Sequence, residues 1–138
     1  RASVYDGRGQ AEVSQVDLQI VSGAKNPHDA YYFYYEVNQL QAVTDGQGRW
    51  KLQLPHTYRT LGGRPGGRDG VPVKYEQVKM MRPELYDLEK DRGEMMDVSA
   101  RHPEIVTRLQ SAAERARGDL GDSLTRRDGS GRRSPGKL

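Results

Sequence analysis

ELYDLEKDRGEMMDVSARHPEIVTRL, residues 84–109, places a strand, a turn and a capped helix in one run, and that succession decides the fold class. Glu84 to Leu88 is a short apolar-rich stretch set off by Pro83 and followed by charged, glycine-containing punctuation, the pattern of a strand leaving a sheet. A helix then opens at Pro103, whose missing N–H costs nothing at a first position, and Glu104 complements the positive end of the dipole. Ile105, Val106, Leu109, Ala112, Ala113 and Ala116 form one apolar stripe, with Arg108, Gln110, Glu114, Arg115 and Arg117 on the remainder. Gly118 is the expected stop. So short and alanine-rich a stripe suits close packing on a small sheet.

Outward from this run, the partner strands come from upstream. Tyr31 to Val37 (Tyr-Tyr-Phe-Tyr-Tyr-Glu-Val) has no helical period and reads as a strand with both faces at least partly covered. Leu40 to Thr44 is a second strand, and Asp45-Gly46-Gln47-Gly48 supplies the positive-φ positions of a hairpin. In the return strand, Arg49 to Leu54, Trp50, Leu52 and Leu54 share one face and Lys51 and Gln53 the other, the alternation of an antiparallel sheet with one packed side. Pro55 ends it. His56 to Gly70 carries too much glycine for an element and reads as a loop, Val71 to Val78 as a further strand, and Val16, Leu18 and Ile20 as a short strand in the lead-in. The fold class is α+β: a small antiparallel sheet of about four strands packed by one C-terminal helix.

Composition sets limits on function. In 138 residues, 34% hydrophobic content and a mean hydropathy of −0.91 predict one domain with a thin core, flanked by loop or tail. There is no cysteine, hence no disulfide framework, thiolate zinc site or cysteine nucleophile. No stretch forms a targeting signal or a membrane span, and the start at Arg1 reads as a segment of something longer. The pI of 9.2 invites a nucleic-acid partner, but the charge is local: Arg126 to Leu138 holds five cations against one acid, +4, while the whole chain is +3. Residues 1–125 therefore sum to −1, and no nucleic-acid partner is expected. Residues 119–138 read as a disordered basic tail, with binding of a polyanion as the functional alternative.

Tyr31 to Tyr35, Leu40-Gln41-Ala42-Val43, Arg49-Trp50-Lys51-Leu52, Pro55-His56-Thr57-Tyr58-Arg59-Thr60, Leu85-Tyr86-Asp87-Leu88 and His102-Pro103-Glu104 stand in the order found in arylsulfatase-type sulfatases, and the segment resembles their C-terminal region. Asp91-Arg92-Gly93-Glu94 departs from the family in having Arg where it usually has Pro. The resemblance implies a variable lead-in over 1–27, a sulfatase C-terminal subdomain over 28–118, and an N-terminal catalytic domain as partner. It also implies a parent that hydrolyses sulfate esters with calcium and a formylglycine, in a secreted, periplasmic or lysosomal setting. No Cys/Ser-x-Pro-x-Arg motif is present, so the segment alone is expected to be inactive, lining the substrate cleft.

The substrate contacts implied by that position are His56, Tyr58 and Arg59, with Lys51 as a fourth, because cationic and hydrogen-bonding donors recognise a sulfate ester. Each has a structural alternative: His56 capping a turn, Tyr58 packing, Arg59 paired with an acid, Lys51 on a solvent face. Tyr31 to Tyr35 could stack on a sugar or be buried at a domain interface. His28 and His102 read as structural, and three scattered histidines make no metal site. The competing functional reading is a stand-alone module for sulfated glycans or other polyanions, acting through the tail and the Arg64 and Arg68 loop.

Overall fold

The computed structural model describes residues 26–133, and the expected lead-in strand at Val16 to Ile20 lies outside them. Strand β1 (Ala30–Tyr35) pairs antiparallel with β2 (Gln39–Asp45), which pairs with β3 (Trp50–Gln53), and a later strand, β6 (Glu84–Asp87), completes the order β1-β2-β3-β6. Between β3 and β6 the chain makes an excursion in which β4 (Thr57–Thr60) and β5 (Glu76–Lys79) form a separate two-stranded ribbon. The antiparallel sheet with one helix is the α+β architecture expected from the sequence.

The register contains one decisive irregularity. Phe33 faces Ala42, but the next residue, Tyr34, faces Leu40, so Gln41 is an extra residue in β2. Side chains alternate across a strand, and Leu40 and Val43, an odd number apart, would otherwise point to opposite sides. The bulge sends both into one core, where both are fully buried. The β2–β3 turn is fixed by Asp45, whose Oδ1 accepts from the backbone N–H groups of Arg49 (2.9 Å) and Trp50 (3.2 Å). A Cβ on Gly46 would run into the carbonyl oxygen of His28, so the turn requires glycine there.

Helix α1 (Pro103–Leu120) starts at Pro103 as predicted and lays Leu109, Ala112, Ala113 and Ala116 on Leu40, Val43, Leu52, Leu54 and Leu85. Three small residues at the contact let the helix axis come close to the sheet. The free edge of β6 is closed by the following segment: Asp97 Oδ1 accepts from Leu85 N (3.1 Å), and Val98 N donates to Leu85 O (2.8 Å).

Four local expectations change. His56 to Gly70 is not all loop, since Thr57–Thr60 pairs with Glu76–Lys79, and the strand expected from Val71 begins only at Glu76. Both strands of the ribbon are largely exposed and so carry no apolar period to read. Strand β1 is covered on one side only: Tyr32 and Tyr34 pack against the core while Tyr31, Phe33 and Tyr35 are exposed. The helix passes through Gly118 and stops at Gly121, which has φ 83°.

The fourth change is at residues 119–128, expected to be a solvated tail. They finish the helix and form a small hairpin, β7 (Gly121–Asp122) with β8 (Arg127–Asp128). Asp122 is fully buried: Oδ1 accepts from Leu40 N (3.2 Å) and Leu124 N (3.0 Å), and Oδ2 from Arg117 Nε (2.9 Å). Arg117 also pairs with Glu114 (2.6 Å), which takes Arg127 on its other oxygen. Ser123 N and Oγ donate to Asn38 O (2.8 Å) and Val37 O (2.6 Å), and Asn38 Nδ2 to Leu120 O (3.0 Å). A carboxylate so placed is tolerated because both oxygens find donors, one of them a guanidinium.

Asp122→Ala should therefore destabilise the chain by about 3 kcal/mol, the range for breaking a buried pair, read as a lowered denaturant midpoint at unchanged slope. A chain ending at Leu120 should lose cooperativity, where a true tail could be removed without effect.

Acid should unfold the molecule for a defined reason. The hydrogen bond from Arg49 holds Asp87 below the usual carboxylate range. Burial works to raise Asp97, but the N–H donors of Ser99 and Leu85 outweigh it and keep it low, and Arg117 and Arg127 lower Glu114. Groups depressed in the folded state contribute stability that is present above their unfolded values, about pH 4, and lost as pH falls through the folded ones. Arg49→Gln should therefore raise the acid-unfolding midpoint, followed by circular dichroism.

Candidate functional site

With α1 on one face, the four-stranded sheet turns its other face toward the β4–β5 ribbon and the turn that carries Glu94, and the register dictates what stands there. Phe33 faces Ala42, Ala42 faces Gln53, and Gln53 faces Glu84, one row across all four strands; Lys51 faces Tyr86 in the next. Ala42 is small and buried, so the row sinks at its centre. The β4–β5 ribbon raises a wall beside it, with His56 and Tyr58 on the incoming arm and Met80, whose N–H donates to His56 O (2.9 Å), on the outgoing one. The result is an open hollow of about 480 Å³.

Three of the four residues expected to meet substrate are brought together here. His56 is 9% exposed, and its Nδ1 lies 2.6 Å from Leu54 O. A carbonyl only accepts, so Nδ1 carries the hydrogen and Nε2 is left for other partners. The Tyr58 ring, 39% exposed, stands 5.8 Å from the His56 ring. Lys51 Nζ is 2.6 Å from Glu94 Oε1 and 5.3 Å from the centre of the Phe33 ring, so its charge is already compensated. Arg59 lies elsewhere, with a guanidinium nitrogen 3.4 Å from the Tyr35 hydroxyl in a neighbouring hollow of about 320 Å³ that shares Tyr35 and Tyr58 with the first.

Glu94 is the residue that sequence reasoning missed. Its backbone sits at φ 53°, in a turn held by Asp91, whose Oδ2 accepts from Met95 N (2.7 Å) and Met96 N (2.8 Å). From there Glu94 meets Lys51 through one oxygen and Gln53 Nε2 (2.8 Å) through the other. Glu84 accepts from the Tyr86 hydroxyl (2.6 Å); burial and that bond push the hydroxyl well above the usual tyrosine range. The alternation of Lys51 and Gln53 in β3 signalled this face, but nothing local marks Phe33, Glu84 or Glu94 as its neighbours.

The other conspicuous residues serve the fold. His102 stands before the helix without a side-chain capping bond, and its ring meets that of Trp50 at 4.8 Å, tilted by 55°. Asp87 of the Leu-Tyr-Asp-Leu run is held by Arg49 (3.0 Å). Among the described residues no three His, Asp or Glu side chains converge as metal ligands.

The sequence family described as the C-terminal region of aryl-sulfatase matches residues 26–128, three-quarters of the chain. The chain belongs to that family. No curated protein matches it. The match to the sulfatase C-terminal region runs from the start of the described residues to the last residue of β8, so it takes in the β7–β8 hairpin as well as the sheet and helix. Membership makes the segment part of a sulfatase, with an N-terminal catalytic domain as its partner. No helix among the described residues is long and apolar enough to cross a membrane.

If Glu94 neutralises Lys51, then Glu94→Gln should raise the salt concentration at which the chain leaves a heparin column by more than Glu104→Gln, the same charge change on the exposed first turn of α1. Adding Lys51→Met should abolish the difference.

Proposed function

We propose that this chain is the substrate-side subdomain of a sulfate-ester hydrolase. His56, Tyr58 and Arg59 face the cleft, Lys51 supports it, and the catalytic domain supplies the formylglycine nucleophile and the calcium. The observation that carries this reading is the hollow on the sheet face, where Lys51 of β3 meets His56 and Tyr58 of the arm that forms β4. Calcium would offset charge on the sulfate; this chain's residues would do the rest of the recognition. The Tyr58 hydroxyl offers a hydrogen bond to an ester oxygen, and His56 Nε2, an acceptor in the neutral ring, accepts one from a substrate hydroxyl. Arg59 carries a guanidinium that pairs with no carboxylate among the described residues and suits an anion. Lys51, tied to Glu94, stiffens the wall more than it attracts sulfate. A secreted, periplasmic or lysosomal setting accompanies this reading.

One observation favours a second reading, a polyanion-binding module. Residues 57–82, the excursion, hold six cations against two acids, +4, more than the whole chain's +3. Arg64 is consumed internally by Glu76 (3.2 Å) and by the carbonyls of Leu61 and Lys74, whereas Arg68, Lys74, Lys79 and Arg82 make no ion pair among the described residues. Arg64 is therefore the weaker half of the Arg64 and Arg68 pair for that role.

Kinetics of the segment joined to its catalytic domain discriminate the two. His56→Ala should raise KM for a sulfate ester by about tenfold, the equivalent of one hydrogen bond of about 1.4 kcal/mol, with a smaller change in kcat. The segment alone should not hydrolyse an aryl sulfate; turnover by it, or an unchanged KM in the variant, overturns the reading. Salt-sensitive heparin retention that survives removal of residues 129–138 but not neutralisation of Arg68, Lys74 and Lys79 would favour the second.

A further inference from the structure

We propose that the outgoing arm of the excursion, from Arg68 to Met81, is a contact surface for an anionic lipid bilayer. None of the residues that carry this assignment lines the hollow, so it stands or falls apart from the cleft.

Two kinds of group stand on this arm without a counterpart. Arg68, Lys74 and Lys79 are exposed and make no ion pair among the described residues. The acids of the stretch do not cancel them, because Glu76 is taken by Arg64 at 3.2 Å and Asp69 alone is left. Between these cations come Val71 and Tyr75, and just beyond them Met81, which are 67%, 51% and 72% exposed. The pairing of the ribbon separates this surface from the hollow. Tyr58 faces Val78 on the side that walls the hollow, whereas Lys79 faces Thr57 on the other, and Tyr75 and Met81 are in phase with Lys79 along the arm.

A bilayer surface is the partner that satisfies both kinds at once. Anionic headgroups draw the cations, whose stems lie along the interface, while a tyrosine and small apolar side chains settle at headgroup depth. A soluble polyanion would reward the cations and leave Val71 and Met81 in water. A folded acidic protein would demand a complementary shape. The arm and its tip offer little of that, since a Cβ on Gly63, Gly66 or Gly70 would meet nothing within 4 Å. A fluid surface makes no such demand. With about a fivefold gain per cation, three cations and three apolar side chains make a weak, reversible attachment, one that reinforces another tether.

The test uses the full 138-residue chain and three probes: phosphatidylcholine vesicles, the same vesicles containing phosphatidylglycerol, and heparin. Cosedimentation should show binding to the anionic vesicles alone, weakened by salt and unchanged when residues 129–138, the other basic stretch, are removed. Lys74→Gln with Lys79→Gln should weaken it about thirtyfold, about fivefold for each cation. Val71→Ser with Met81→Ser should weaken it about tenfold while leaving the salt at which the chain leaves heparin unchanged. All four side chains are exposed, so both variants should keep the circular dichroism of the parent chain. No binding to anionic vesicles, equal binding to neutral ones, loss of binding with residues 129–138, or an apolar pair whose replacement changes nothing would each overturn the proposal, the last marking the arm as a site for soluble polyanions. So would loss of association with the catalytic domain in either variant, since the arm would then be a contact between domains. The cleft is decided separately: His56→Ala raising KM while no vesicle binds keeps the cleft and removes the membrane contact, and vesicle binding with an unchanged KM does the reverse.

Discussion

A four-stranded sheet with one helix to cover it can be dry on one side only, and the other features of this molecule follow from how that side is completed. The bulge at Gln41 puts both Leu40 and Val43 under the helix, and alanines at three helix positions bring the backbone close enough for so few large side chains to fill the core. The opposite face is then obliged to be polar, aromatic or covered by something else. That obligation is what gathers Phe33, Lys51, Gln53 and Glu84 within reach of one another.

The elements that were legible in the sequence carry their own signals. Trp50, Leu52 and Leu54 alternate, Asp45 and its glycines make the turn, and Pro103 begins the helix whatever surrounds it. The elements that were not legible depend on partners distant in sequence. Thr-Tyr-Arg-Thr becomes a strand only because Glu-Gln-Val-Lys lies beside it, and Asp122 reads as a surface charge until Leu40 and Arg117 are placed around it. Gly118 illustrates the converse: its local tendency to end a helix yields to the packing of Ala116 before it and to the ion pair that ties Arg117 to Asp122 beyond it.

The candidate site divides in the same way. His56 and Tyr58 were legible because they follow the end of β3 in a polar run, and Lys51 because it alternates with buried neighbours. Arg59, next to Tyr58, leaves them and turns to Tyr35. The carboxylates that reverse the expected charge of the hollow come from β6 and the turn beyond it, more than thirty residues from Lys51. Charge in this molecule is thus sorted by element: acidic at the floor of the hollow, basic along the excursion, and cross-linked where the helix ends.

The clasp at Asp122 also has a consequence in time. Leu40 and Asp122 are 82 positions apart, so the core cannot be sealed until almost the whole segment has left the ribosome. The meander can pair as it emerges, but its apolar side waits for a helix and a hairpin made last. Until then the nascent chain exposes that side to the chaperones and proteases around it, and a frameshift or stop codon within the final dozen described residues would be felt as a failure of maturation, far from the cleft.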